Sequence, residues 1–160
     1  MAVYLGIDWS QKEHMLVFVD EKGDRLAETK IERTVDGFVQ LDQLRESFDV
    51  PADECIVGIE SQHLLLVDWL WSHGYNKLYI VSPTVTHSRQ KSYSHSGART
   101  DSRDGYLIAN LLRTDGHLFE PWRPDSPQTQ ELRSCVSLRM QLLQARLREQ
   151  NQLRELLMRY

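Results

Sequence analysis

The chain of 160 residues is 41% hydrophobic and 26% charged, which supports one real core plus an appendage. Its net charge of -4 excludes a simple polycation that coats nucleic acid, and its longest apolar run, Leu64 to Val67, is too short to span a bilayer. Asp8 comes too early for a secretory signal, and no basic segment leads into a long apolar stretch, so a cytoplasmic protein with no membrane partner is expected.

The first apolar run, AVYLGID (2–8), is rich in strand formers, and HMLVFVD (14–20) follows it after the polar WSQKE. The turn EKGD then leads into RLAETKIER (25–33), so three antiparallel strands open the domain. Thr34 is placed to cap a helix running to about Phe48, with Val35, Phe38, Val39, Leu41, Leu44 and Phe48 as its apolar face and Pro51 helping to end it. ECIVGIE (54–60) is nearly continuous in apolar residues, as a strand buried on both faces should be. LLLVDWLWSHG reads as a helix stopped by Gly74, and KLYIVSP as another buried strand stopped by Pro83. The layout is α/β. Cys55 and Cys135 lack metal-type spacing and are expected to pack ordinarily, one on a strand and one on a helix.

Two strand ends echo each other. LGIDWS and VGIESQ share the order apolar, Gly, Ile, acid. If the two strands are parallel neighbours, Asp8 and Glu60 emerge side by side at the carboxyl edge, where open α/β sheets bind ligands, and Gly6 and Gly58 leave room for close approach. Equally, each acid could simply begin a loop. Further on, ARTDSRDGYLIANLLR (98–113) sets Asp101 and Asp104 three apart at a helix start. These acids suit capping and the positive end of the helix dipole, and residues i and i+3 can also converge on one point. Four carboxylates gathered in one cleft would repel one another, and a divalent cation relieves that repulsion.

Charge is unevenly spread. Residues 1–84 hold 7 Lys and Arg against 15 Asp and Glu, whereas Thr84 to Thr100 contains Arg89, Lys91 and Arg99 and no acid. That stretch, with Tyr93 available to stack on a base and Arg103 just beyond it, suits a loop that meets phosphates; a solvated surface loop has the same composition.

The order GIDWS, VGIES, GYNKLYIVSPT and ARTDSRDGYLIANLL resembles the N-terminal domain of DEDD-type insertion-sequence transposases, the group that includes the Piv and MooV invertases. The resemblance covers roughly residues 3–113 and implies an RNase H-like, RuvC-like fold: a mixed five-stranded sheet with flanking helices, followed by a long C-terminal helix. It implies that Asp8, Glu60, Asp101 and Asp104 are the catalytic, metal-holding acids. Mg²⁺ or Mn²⁺ is the implied cofactor, and DNA strand exchange between element and target the implied activity. A structured guide RNA is implied as a second partner in the members that use one. The location implied is the bacterial cytoplasm, at the nucleoid. Arg99 stands where the family often has Lys. Gly105 stands where Ala is common, and is expected to loosen the helix start by up to ~1 kcal/mol.

After Arg113, TDGHLFEPWRPDSPQ reads as a linker packed partly through Phe119 and Trp122. From Gln128 to Tyr160 a helix is predicted with one apolar stripe through Leu132, Val136, Met140, Leu143, Leu147, Leu153 and Leu157. A second stripe runs through Cys135, Leu138, Leu142, Ala145 and Leu156. The stripes can pack on the chain itself or on a second copy, making a homodimer or higher homo-oligomer through 128–160. The organisation read is therefore 1–113 catalytic domain, 114–127 linker and 128–160 helical segment. Full members of the resembled family carry a further domain with a serine nucleophile, and Ser10, Ser61 and Ser102 lack a paired base for that role. Three other readings use the same residues: a junction-resolving nuclease with the same four acids, half of an actin-like ATPase or sugar kinase, and a non-catalytic dimerisation module. The ATPase reading lacks its Gly-rich adenosine loop.

Overall fold

A computed structural model describes residues 2–10, 12–60, 64–86, 88 and 101–158. The chain divides into two compact units, Met1–Arg123 and Pro124–Tyr160. In the first unit, strands β1 (Tyr4–Trp9), β2 (Glu13–Val19) and β3 (Arg25–Glu32) form the antiparallel meander read from the sequence. Asp20 closes the β2–β3 turn by accepting from the backbone amides of Lys22, Gly23 and Asp24. Helix α1 (Val35–Glu46) follows, then β4 (Ile56–Ile59), α2 (Leu64–Ser72), β5 (Lys77–Ile80) and α3 (Asp101–Asp115). Both β4 and β5 join in parallel, which gives the order β3-β2-β1-β4-β5 and a mixed five-stranded sheet.

Strand alternation divides the core between the two faces of this sheet. Leu5, Ile7, Leu16, Phe18, Val57, Ile59 and Leu78 point to one face, where Phe38 and Leu41 of α1 and Leu66, Val67 and Leu70 of α2 cover them. Gly6, Val17, Gly58, Tyr79 and Val81 belong to the other, which α3 covers with Ile108, Ala109, Leu111 and Leu112. Thr34 caps α1 as expected, accepting from the Gly37 amide at 3.2 Å. The expected apolar face of α1 needs correcting: Val35 and Val39 are exposed. The buried stripe is instead Phe38, Leu41 and Arg45, because the guanidinium of Arg45 is satisfied inside the fold. Its Nη1 donates to Val50 O at 2.7 Å, and its Nη2 meets Asp42 Oδ1 at 2.6 Å, an atom that also accepts from the Tyr75 hydroxyl.

Gly74 ends α2 region as expected, in the left-handed conformation at φ 89°. The segment after α3 forms a short 3₁₀ turn, Gly116–Leu118, and then runs beside the sheet edge, where the Trp122 amide donates to Leu78 O of β5. The Trp122 ring meets Trp71 edge-on at 5.7 Å, and Phe119 joins the cluster around Ile108, so both aromatics pack as expected. Pro83 does more than stop β5. Ser82 and Pro83 start a helical turn at residues 83–86.

The second unit is helix α4 (Pro127–Leu157), capped by Ser126, which accepts from the Thr129 amide. None of its described residues is buried; Leu132, Leu138, Leu142 and Leu147 are each more than half exposed. Cys55 is buried as expected. Cys135 is exposed on α4, so its expected packing role has no counterpart in the fold.

Candidate functional site

The parallel pairing of β1 with β4 sets Gly6 opposite Gly58 and Ile7 opposite Ile59. One step further, the Glu60 amide still donates to Ile7 O at 3.4 Å, so Asp8 and Glu60 leave the carboxyl edge as neighbours. By alternation both acids share the face of Gly6 and Gly58. Both are half-buried. The echo in the sequence therefore reflects a real juxtaposition.

The two glycines seat α3 on this face. A Cβ on Gly6 would collide with the carbonyl oxygen of Gly105 and lie 2.7 Å from the Ala109 nitrogen, so the helix backbone rests directly on the strand. A Cβ on Gly58 would lie 2.5 Å from Ile108 Cγ2. Gly105, expected only to loosen the helix, is instead part of this contact: a Cβ there would stand 2.9 Å from Val17 Cγ2. Asp104 immediately precedes it in the first turn of α3 and is half-buried, as is Arg103. Asp101 opens the helix, and its side chain lies outside the described residues, as do Arg89, Lys91, Tyr93 and Arg99. The first turn is further tied to β3, since Arg25 Nη1 donates to Ser102 Oγ at 3.1 Å and the Arg25 guanidinium lies 4.8 Å from the Tyr106 ring centre.

Among the described residues, no group of three or more His, Cys, Asp or Glu is close enough to hold one metal ion. What the fold brings together is the pair Asp8 and Glu60, with Asp104 one residue from the Gly6 contact. The pair suits a hard cation, since both donors are carboxylate oxygens.

Two residues at this edge escaped the sequence reading. Thr86 is buried, and its hydroxyl donates to Glu60 Oε1 at 2.8 Å. The Ser-Pro helix start four residues earlier was the available signal. Lys30 lies in register with Met15, which is in register with Asp8, so the three form a row across β3, β2 and β1 on one face. Asp8, Ser10, Glu13, Met15 and Lys30 line a small hollow there, with Lys30 Nζ 3.7 Å from Glu13 Oε2. Strand parity predicts this row once the register is known.

The family model that matches the chain, over residues 5–160, is the transposase family of the DEDD, IS110 type. The "Mini-circle putative transposase for IS117" of Streptomyces coelicolor is 32% identical across 100% of the chain and 39% of its own length. The "Putative transposase y4uE" of Sinorhizobium fredii is 30% identical across 98% of the chain and 44% of its own length. The chain thus spans about two fifths of the length of these relatives. Among solved structures, T. thermophilus RuvC in complex with a Holliday junction substrate superposes with a TM-score of 0.51 at 12% identity. That match covers 76% of the chain and 100% of RuvC, and shows that the fold is RuvC-like, that is, RNase H-like.

Proposed function

We infer function from one premise: the chain belongs to the DEDD transposase family of the IS110 type. On that premise we propose that it is the metal-dependent part of a DNA recombinase that exchanges strands between an insertion element and its target. Residues 1–113 form the catalytic domain, 114–127 a linker, and 128–160 a helix through which two copies associate. The observation that carries the reading is the pairing of Asp8 and Glu60 at the carboxyl edge, on the face that α3 covers from Gly105 onward.

In this reading Asp8, Glu60, Asp101 and Asp104 hold Mg²⁺ or Mn²⁺. Mg²⁺ keeps several waters and takes one or two carboxylates together with substrate phosphates, so the pair Asp8 and Glu60 is a sufficient anchor and the α3 acids complete it. A bound ion supplies Lewis-acid neutralisation of phosphate charge. The protein's own residues orient the substrate. The β1–β4 ladder fixes Asp8 and Glu60, and Lys30 offers its ammonium to a phosphate two strands away on the same face. Arg89, Lys91, Arg99 and Arg103 neutralise further phosphates, and Tyr93 stacks on a base. The fold it shares with a protein solved on a Holliday junction favours branched DNA as the substrate class. A structured RNA guide is the second nucleic-acid partner proposed, and its basis is the family resemblance.

Thermal unfolding with and without millimolar Mg²⁺ or Mn²⁺ tests the site. Metal should raise the Tm by mass action, and Asp8→Asn or Glu60→Gln should reduce the gain. A wild-type chain with no metal-dependent gain would overturn the proposal.

A further inference from the structure

Thr86 is only 3% exposed, yet its hydroxyl is aimed at an acid on the rim of the sheet. Oγ1 lies 2.8 Å from Glu60 Oε1 and 2.9 Å from the carbonyl oxygen of Pro83. One hydroxyl has one proton for these two acceptors, and a carboxylate is the stronger. The backbone fixes the donor from below. Thr86 N donates to Ser82 O, and Val81 N donates to Ile59 O, so the turn hangs from the strand that ends in Glu60. A β-branched side chain has few χ1 choices, and burial of its methyl removes most of those left. The hydroxyl is therefore a stationary donor beside the Glu60 carboxylate.

We propose that Thr86 is a positioning residue for Glu60: it ties down Oε1 and presents Oε2, across from Asp8, to the divalent cation. The proposal rests on the reading of Glu60 as a metal ligand. Groups that orient a ligating side chain typically change metal affinity ten- to hundredfold when removed. A long acid such as Glu carries much rotamer entropy, and a donor that has already fixed it spares the metal that cost.

The test uses the 160-residue chain and Mn²⁺ alone as the probe, with affinity read from Mn²⁺ electron paramagnetic resonance and from the Mn²⁺ dependence of Tm. Thr86→Val and Thr86→Ala remove the donor, and Thr86→Ser restores it. The expected result is Mn²⁺ binding at least about tenfold weaker in Val and Ala, and within about threefold of wild type in Ser. A purely structural role would lower the metal-free Tm in all three and leave the affinity alone. In a Glu60→Gln background, Thr86→Val should cost no further affinity, because Thr86 acts only through that carboxylate. If Val fails to fold, Ala against Ser decides. Wild-type affinity in Val or Ala, alongside weakened Glu60→Gln, overturns the role of Thr86 and leaves the metal site standing. Absence of Mn²⁺ binding by the wild type overturns both.

Discussion

Replacing Gly6 with Ala should be the most damaging small change in this fold. The added methyl would enter the space of the Gly105 carbonyl and stand 2.7 Å from the Ala109 nitrogen, and both belong to helix backbone that cannot rotate away. The helix must lift by roughly 1 Å, and a gap of that size forfeits about a quarter to a half of the dispersion at the interface. Four buried apolar residues of α3 sit there: Ile108, Ala109, Leu111 and Leu112. At about 1.5–3 kcal/mol for each of the three large side chains, the seam contributes about 5–9 kcal/mol, so the loss comes to about 2–4 kcal/mol. Neighbouring glycines calibrate the argument. At Gly58 a methyl would crowd Ile108 Cγ2 and Leu112 Cδ1, side-chain rather than helix-backbone atoms, so Gly58→Ala should cost less, about 1–2 kcal/mol. Gly105→Ala presses on Val17 Cγ2 but gains helix propensity, and should stay within about 1 kcal/mol of wild type. Tryptophan fluorescence in urea reads this unit selectively, since Trp9, Trp69, Trp71 and Trp122 all lie in it. A Gly6→Ala loss no larger than that of Gly105→Ala would refute the seating of α3 on β1.

Stability should also fall above pH 9. Burial pushes the Cys55 thiol up from 9.0 to about 12, so the contribution is whole below pH 9 and is lost as pH rises toward 12, by up to ~1.4 kcal/mol per unit. Tyr75, raised by burial and by its bond to Asp42, acts in the same direction, and Cys55→Ala should flatten the first part of the slope. Equal slopes in urea unfolding between pH 8 and 10.5 would contradict this. Leu143→Glu with Leu147→Glu should turn a self-associating chain into a folded monomer by light scattering on gel filtration. A wild type already monomeric at ~100 μM removes the dimer. Alanine at Arg89, Lys91 and Arg99 should flatten the salt dependence of DNA binding by a log-log slope of up to about 3, and Lys30→Ala by up to about 1. Unchanged slopes would return these residues to the solvated surface.

Patterns of period two and period 3.6 carried most of the fold, since burial on one face or both imposes them directly. The strands, α2, α3 and α4 were legible for that reason, and so was the adjacency of Asp8 and Glu60, once the repeated Gly-Ile-acid ending was taken as two equivalent strand exits. The misses have a common physical origin. Val35 and Val39 are apolar at helical spacing, but the stripe is decided by what can be satisfied inside, and only the fold reveals that Asp42, Tyr75 and Val50 wait for Arg45. Thr86 and Lys30 share that character: each matters through a partner distant in sequence, Glu60 at 26 residues in one case and the Met15–Asp8 row in the other. Gly105 looked like a weakness in a helix because propensity is local, whereas its value lies in the approach to Gly6.

The same Gly-Ile-acid ending binds packing to chemistry, and a double-mutant cycle can separate the two. Asp8 and Glu60 leave parallel neighbouring strands, which run about 4.8 Å apart, and both acids are half-buried. With an effective dielectric between about 20 and 80, two negative charges at that range repel by about 1–3 kcal/mol. A shared cation reverses the sign, because each acid then strengthens the other's hold on the ion. The cycle of Asp8→Asn, Glu60→Gln and the double variant isolates this pairwise term from whatever other contacts either side chain makes. In EDTA the coupling should be unfavourable, with the double variant gaining less than the two singles together. In millimolar Mg²⁺ it should be favourable, with each single variant already losing nearly all of the metal's stabilisation. Coupling of one sign under both conditions would mean that the two acids are neighbours without being partners, and the metal reading of this edge would fall.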